Sequence, residues 1–217
     1  MFATREDAGQ KLGERLKEIG IHADFVLGLP RGGVVVAAAV ARVLNLTLDV
    51  LIVRKIGHPW HREFAVGALA EDGVVLLDES AIGRNPLIRY ELNQIIKEEK
   101  DRLRDYEEKF HPAGELNLTD RSVLLVDDGI ATGATTEAAI MAVRKMGAAK
   151  IIVTAPVAST HAVERLSKAA DAVVVLQEDP EFQAVGHYYQ SFSQTTDEEV
   201  LDLLKVENQA WRSQTHC

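Results

Sequence analysis

Two adjacent carboxylates, Asp127 and Asp128, followed by Gly129-Ile130-Ala131-Thr132-Gly133-Ala134-Thr135, concentrate more chemistry than any other stretch of this 217-residue chain. An acidic pair can hold sugar hydroxyls or a hydrated Mg²⁺. The small residues after it let backbone N–H groups close on an anion, and Thr132, Thr135 and Thr136 add hydroxyl donors. A helix N-terminus beyond such a turn contributes unpaired N–H groups and partial positive charge. One half of the motif suits a polyol or a metal and the other a phosphate, which together describe a phosphorylated sugar. A second anion-friendly turn is Pro30-Arg31-Gly32-Gly33, where two glycines permit close approach and Arg31 offers several donors to phosphate oxygens. A third group is Arg54-Lys55, followed by the polar stretch Ile56-Gly57-His58-Pro59-Trp60-His61-Arg62-Glu63-Phe64. That stretch holds candidate acids, bases and donors (His58, His61, Glu63) in a Gly/Pro-punctuated segment, and reads as an active-site lid over residues 56–66.

The elements that must position these groups read as alternating strands and helices. Val123 to Val126 is a doubly buried strand with the acidic pair at its carboxyl end, and a helical pattern runs from Glu137 to Met146. Phe25 to Leu29 is a short buried strand, followed by a small-residue helix over Val34 to Leu44. Leu48 to Val53 gives the next strand, with Arg54-Lys55 at its end, and Val66 to Ala70 and Val74 to Leu77 return to strand-like composition. Thr4 and Asp7 form an acidic capping box for an amphipathic helix over 5–19 that stops at Gly20. Asn85-Pro86 starts a long amphipathic helix reaching Phe110, with the charge run Lys97 to Arg104 as a solvated face. Ile151 to Val157 and Ala172 to Leu176 are two more strands, separated by a helix from about Ser159 to Ala169. The order predicts an α/β, doubly wound, mainly parallel sheet whose ligands lie beyond the carboxyl ends of its strands. All three chemically equipped groups follow strand ends, so they converge on one edge of the sheet. The aromatic tail, with Phe182, His187, Tyr188 and Tyr189, leads to a last helix capped by Thr196 or Asp197 and carrying Val200, Leu203 and Leu204. The chain therefore divides into a core over 1–177, with a helical insertion at about 85–111, and a C-terminal hood or flap over 178–217.

Composition excludes several function classes. The net charge of −9, from 24 basic and 33 acidic residues, argues against a nucleic-acid partner, which needs a positive footprint to replace counterions. The one cysteine, Cys217, rules out an internal disulfide framework or a cysteine metal site. The most apolar stretch, Val34 to Val53, is interrupted by Arg42, Asn45 and Asp49, so no membrane span is expected. Nor does the start carry the apolar core of a signal peptide, and a cytoplasmic location is the expectation.

The stretch 123–135 resembles the binding motif for 5-phosphoribosyl-1-pyrophosphate (PRPP) in type I phosphoribosyltransferases, with Gly129 where that family usually has an aliphatic residue. Leu-Pro-Arg-Gly-Gly at 29–33, Arg-Lys-Ile-Gly at 54–57, Glu-Phe-Ala-Val-Gly-Ala at 63–68 and Asp-Glu-Glu-Val at 197–200 extend the resemblance to an uncharacterised prokaryotic branch of that family. The resemblance implies a fold of type I phosphoribosyltransferase kind and assigns PRPP to residues 127–135, with Asp127 and Asp128 on the ribose hydroxyls and Ala131 to Thr135 around the 5-phosphate. It places pyrophosphate on Pro30, Arg31, Gly32 and Gly33, and Mg²⁺ at Asp127 and Asp128 through water. Lys55, Arg54, Glu63 and Asp128 are the candidate catalytic residues. The implied reaction is Mg²⁺-dependent transfer of the 5-phosphoribosyl group to a small nitrogenous base with release of pyrophosphate, in a homodimer. Arg-Lys-x-Gly is similar to the adenine-specific branch. Ala131 stands where the 6-oxopurine enzymes place an aspartate base, which disfavours hypoxanthine and guanine. The alternative function is a PRPP- or nucleotide-sensing regulator on the same fold. A Gly-x-Gly-x-x-Gly dinucleotide loop and a P-loop are both missing, which weakens an unrelated nucleotide binder.

Overall fold

The computed structural model describes residues 1–83, 85–110 and 117–215, with backbone alone at positions 63, 72 and 208–215. Helix α1 (Arg5–Glu18) begins as its capping box requires, with Thr4 extended and its hydroxyl accepting the Asp7 N–H at 3.1 Å. Ala8, Leu12 and Leu16 recur at helical spacing and are fully buried. Strand β1 (Phe25–Gly28) leads directly into α2 (Gly32–Leu44), and β2 (Thr47–Val50) follows. Helix α2 starts two residues before the expected Val34, so Gly32 and Gly33 lie in its first turn.

The expected strand over 48–53 ends earlier, and the segment 56–66, expected as an irregular loop, is strand and tight turn. β2 ends at Val50, and β3 (Val53–His58) and β4 (His61–Ala70) form an antiparallel hairpin closed at Pro59 and Trp60. Arg54 and Lys55 therefore lie inside a strand. Polar residue types disguised the period-2 pattern: Ile56 and His58 alternate as buried positions of β3, and Gly57 gives close backbone approach at an irregularity in the register. β5 (Val75–Leu77) completes this three-stranded sheet in the order β3-β4-β5. A short α3 (Glu79–Ile82) precedes α4 (Pro86–Phe110), whose start is capped by Asn85 Oδ1 accepting the Leu87 N–H at 3.0 Å.

The remaining elements are β6 (Ser122–Val126), α5 (Ala134–Lys145), β7 (Lys150–Ser159), α6 (Thr160–Leu166), β8 (Ala172–Asp179) and α7 (Asp197–Thr215). The main sheet is wholly parallel, in the order β2-β1-β6-β7-β8. Side chains alternate across it. Val26, Leu124, Val126 and Ile152 join α1, α2 and α7 in one core, while Leu27, Val123, Leu125, Ile151 and Val153 join α5 and α6 in the other. Each such fully buried aliphatic side chain contributes about 1.5–3 kcal/mol. The second sheet is covered by α4 through Ile56, Val66 and Leu69, and meets α5 through Ala68 and Ala70.

The charge run of α4 is not wholly a solvated face. Glu99 falls on the same stripe as Ile95 and Leu103 and is 6% exposed. Its carboxylate accepts from Arg54 Nε at 2.5 Å and Arg102 Nη1 at 2.6 Å. At the C-terminal end, Thr196 and Glu199 form a reciprocal capping box (3.2 and 2.8 Å) for α7, and Val200 and Leu204 enter the main core against α2. No helix among the described residues is long and apolar enough to cross a membrane. Cys217 and position 111, the end of the expected helical insertion, lie outside the described residues.

Candidate functional site

β1 has β2 on one side and β6 on the other, so the connections leaving β1 and β6 diverge at their carboxyl ends. A parallel sheet opens a crevice at such a switch point. The turn 30–33 leaves from β1, in register with β6 through the Gly28–Val126 pairing, and Leu29 N–H donates to the Val126 carbonyl at 2.9 Å. The two turns therefore meet side by side. A Cβ on Gly33 would lie 2.9 Å from Asp127 Cα and from the Val126 carbonyl oxygen, and one on Gly32 would lie 2.0 Å from Asp128 Oδ2. Glycine at these positions is what allows the anion turn to touch the carboxylates. The Pro30–Arg31 peptide is cis. Arg31 is partly exposed and lies 3.6 Å from Asp197 Oδ1 at the start of α7.

After the acidic pair the chain does not loop freely. Ile130 forms a parallel bridge with Ala158, its N–H donating to the Val157 carbonyl and its carbonyl accepting the Ser159 N–H, both at 2.9 Å. Ser159 Oγ donates to the Ala131 carbonyl at 2.5 Å. Gly133, at φ +76°, then turns the chain into α5 through a left-handed conformation that glycine adopts without strain. The helix starts at Ala134, three residues before the expected Glu137, so Thr135 and Thr136 lie in its first turn. First-turn N–H groups have no partner within their own helix; that of Ala134 donates to the Thr132 hydroxyl at 3.4 Å, and those of Thr135 and Thr136 follow it at the N-terminus beside the exposed Ala131 and Thr132. A positively polarised, donor-rich cradle thus stands next to the carboxylates.

Gly129 has a different role from Gly133. A Cβ there would meet Val185 at 2.6 Å and Val157 at 3.2 Å. The absence of a side chain lets the segment between β8 and α7 close on the turn. That segment, with a 3₁₀ turn over Val185–Tyr188, lies against Asp128 as well. Tyr189, buried against Phe2, donates from its hydroxyl to the Asp128 carbonyl at 2.5 Å. Tyr188 instead donates to Asp179 at 2.6 Å and stacks on Phe182, and burial together with the Asp179 charge pushes its hydroxyl up to about 12.

The carboxylates differ electrostatically. Asp128 Oδ2 accepts from Arg5 Nε at 2.7 Å, while Asp127 Oδ1 accepts the Asp128 N–H at 2.8 Å. Loss of solvent and the adjacent Asp128 charge push Asp127 well above the usual carboxylate range, and Lys55 opposes them weakly. Lys55 itself is exposed on β3. Its neighbour Arg54, on the opposite face of β3, is engaged by Glu99 and lies over Tyr106. The structure brings together Pro30 to Gly33 and residues 127–135, and it directs Arg54 toward α4. His58 and His61 stack at 5.9 Å at the tip of the hairpin, where His58 Nδ1 accepts the Trp60 N–H at 3.2 Å. The Glu63 side chain lies outside the described residues. No group of three or more His, Cys, Asp or Glu residues forms a metal cage among the described residues.

Arg5, Phe192 and the inward role of Tyr189 have no signal in local spacing. Arg5 stands in the first turn of an amphipathic helix, where charge is ordinarily solvated, and its partner is 123 positions away. Tyr189 is aromatic and conspicuous, but nothing in its neighbourhood distinguishes a hydrogen bond to a main-chain carbonyl from stacking on a base.

Known proteins resemble this chain in sequence and in fold. The family model for the phosphoribosyl transferase domain matches residues 4–191. Two Mycobacterium tuberculosis sequences provisionally named phosphoribosyl transferases are 41% identical over 205 residues, covering 94% of this chain. This chain spans 46% of the length of those relatives. A solved structure from Thermus thermophilus is 44% identical with a TM-score of 0.78, covering 94% of this chain and 97% of that one. A purine phosphoribosyltransferase from Pyrococcus horikoshii, 18% identical with a TM-score of 0.50 over 91% of this chain and 97% of its own, shares the fold. The chain belongs to the phosphoribosyl transferase family.

Proposed function

We propose that this member of the phosphoribosyl transferase family transfers the 5-phosphoribosyl group from PRPP to a small nitrogenous base and releases pyrophosphate. The observation that carries the reading is the apposition at one sheet edge of an acidic pair, a Gly-Gly anion turn packed against it, and the open N-terminus of α5. A ligand with phosphate at one end, hydroxyls in the middle and pyrophosphate at the other matches that order of groups.

In the proposed reaction a lone pair on the base nitrogen forms a bond to C1 of the ribose as the C1–oxygen bond breaks; the electrons of that bond leave with pyrophosphate, and the base gives up its ring N–H proton to solvent. Positive charge grows on the ring and negative charge on the leaving group. Residues 131–135 hold the 5-phosphate through backbone and hydroxyl donors. Asp127 and Asp128 accept from the ribose hydroxyls and orient C1. Arg31 and Lys55 stabilise the departing pyrophosphate. The hairpin tip, where Trp60 and Phe64 are more than half exposed, supplies an apolar cover that excludes water from C1.

The donor set fits Mg²⁺, which takes one or two carboxylates plus substrate phosphates in place of an all-protein cage. Asp127 and Asp128 would hold it through water, and when bound it neutralises charge on the pyrophosphate.

The test is pyrophosphate release from PRPP and Mg²⁺ against a panel of purine, pyrimidine and related bases, with the Asp127→Asn/Asp128→Asn double variant as control. Release with one base, lost in the control, establishes the transferase and names its acceptor. PRPP binding in calorimetry without release from any base would instead favour a PRPP-sensing regulator. No binding at all would overturn the reading of the site.

A further inference from the structure

Asp128 is held from three directions, and two of the groups holding it, Tyr189 and Arg5, have no part in the scheme above. Its N–H donates to Asp127 Oδ1 and its carbonyl accepts from Tyr189. Its Oδ2 accepts from Arg5 Nε at 2.7 Å, in a pair whose side chains are 11% and 15% exposed. Arg5 Nη1 donates at the same time to the Ser193 carbonyl at 2.7 Å, and the guanidinium centre lies 3.8 Å from the centroid of Phe192. The pair lies against the anion turn as well, because a Cβ on Gly32 would stand 2.6 Å from Arg5 Nε. One side chain from α1 thus meets a site carboxylate, the backbone of the segment between β8 and α7, and the first turn of α2.

We infer that Arg5 is a positioning residue of the PRPP site: it commits one oxygen of Asp128 to a guanidinium, leaving the other to accept from the ribose, and ties residues 189–193 to the same edge. The inference rests on the PRPP reading of that site. Only arginine suits the position, because the fork must donate in two directions while its plane stacks on an aromatic ring. A lysine ammonium restores the charge but has no plane to stack. Stability alone is a poor account of the pair, since a largely buried ion pair repays little beyond its own desolvation. Its geometry specifies where the carboxylate sits.

The experiment compares PRPP affinity and steady-state kinetics of the wild type with Arg5→Gln and Arg5→Lys, each also in an Asp128→Asn background. Loss of a charge-assisted hydrogen bond predicts a rise of roughly tenfold to a hundredfold in the Kd and KM for PRPP, with a smaller change in kcat, for Arg5→Gln. Arg5→Lys should fall between Arg5→Gln and the wild type. The Arg5→Gln effect should largely vanish when Asp128 is already Asn, because the two residues then act as one unit. Wild-type PRPP binding with unchanged affinity in Arg5→Gln overturns the inference. So do additive effects in the double variant, or a lowered melting temperature with unaltered KM. A wild type that binds no PRPP overturns the reading of the site and this inference with it.

Discussion

Gly32→Ala sets two physical effects against each other. In the first turn of α2 an alanine is favoured over glycine by about 0.5–1 kcal/mol, because glycine loses more backbone freedom on folding. Gly32 is not in the left-handed region, so the backbone itself admits the substitution. The new Cβ, however, would lie 2.0 Å from Asp128 Oδ2, 2.6 Å from Arg5 Nε and 2.9 Å from Asp128 Cγ, where ordinary contact begins at 3.4 Å. The carboxylate must withdraw by more than an ångström, which breaks its 2.7 Å bond to Arg5 or pushes both groups away from the turn. Overpacking of this kind costs about 1–3 kcal/mol, and a lost charge-assisted hydrogen bond about as much again. The crowding outweighs the helix gain by about 2 kcal/mol or more. For a chain of this length that lowers the melting temperature by roughly 4–8 °C. Under the proposed role of Asp128 on the ribose, displacing the carboxylate should lower PRPP affinity at least about tenfold. Differential scanning calorimetry and PRPP titration on the same preparation measure both. A Gly32→Ala protein as stable as the wild type or more so, with intact PRPP affinity, would refute the packing of the turn on the acidic pair.

Asp127→Asn should raise the melting temperature in metal-free buffer at neutral pH while weakening PRPP binding. Asp127 is pushed up in the folded state, so the stability it contributes is present below the ordinary aspartate range and is lost as pH rises; the advantage of Asn should disappear near pH 4 in a melting series. Glu99→Gln should lower stability by about 2 kcal/mol, because it leaves Arg54 without its carboxylate, and leave the Kd for PRPP unchanged in titration. Thr196→Ala removes the hydroxyl half of the α7 capping box and should lower the melting temperature by roughly 2–4 °C, for a cost of about 1 kcal/mol.

Legibility in the sequence followed the range of the interactions. The parallel strands were readable because burial on both faces leaves runs such as Val123 to Val126 with no polar position. Helix starts were readable where a cap is local, as at Thr4, Asn85 and Thr196. The close packing of the turns at 30–33 and 127–133 was readable because glycines and other small residues beside carboxylates have few other reasons to cluster. The hairpin at 53–70 was missed because its buried positions include a histidine and its turn carries a proline, so a strand pattern was concealed in loop composition. Glu99 was misread because a charge on a helix defaults to solvent, and the arginine that makes its burial tolerable stands 45 positions earlier.

Gly129 shows why part of the site could not be derived locally. As a departure from the family pattern it suggests a looser turn, and a conformational argument would stop there. In the fold its φ is unremarkable, and the reason for glycine is Val185, 2.6 Å from where a Cβ would be. The same segment supplies Tyr189 to the Asp128 carbonyl and Ser193 to Arg5, and its parallel bridge from Tyr189 to Phe2 ties it to the start of α1. Residues 2–5 and 185–193 therefore form one wall of the crevice, and the missing side chain at 129 is the space that wall occupies. It follows that Gly129→Val should disturb Tyr189 and Arg5 before it disturbs the turn. Tyr189 sits against Phe2 and Phe192, so the near-ultraviolet dichroism of that aromatic cluster is the signal to follow. A change in that signal, with the far-ultraviolet spectrum preserved, is the expected result. An unaltered aromatic signal would mean that the wall does not rest on Gly129.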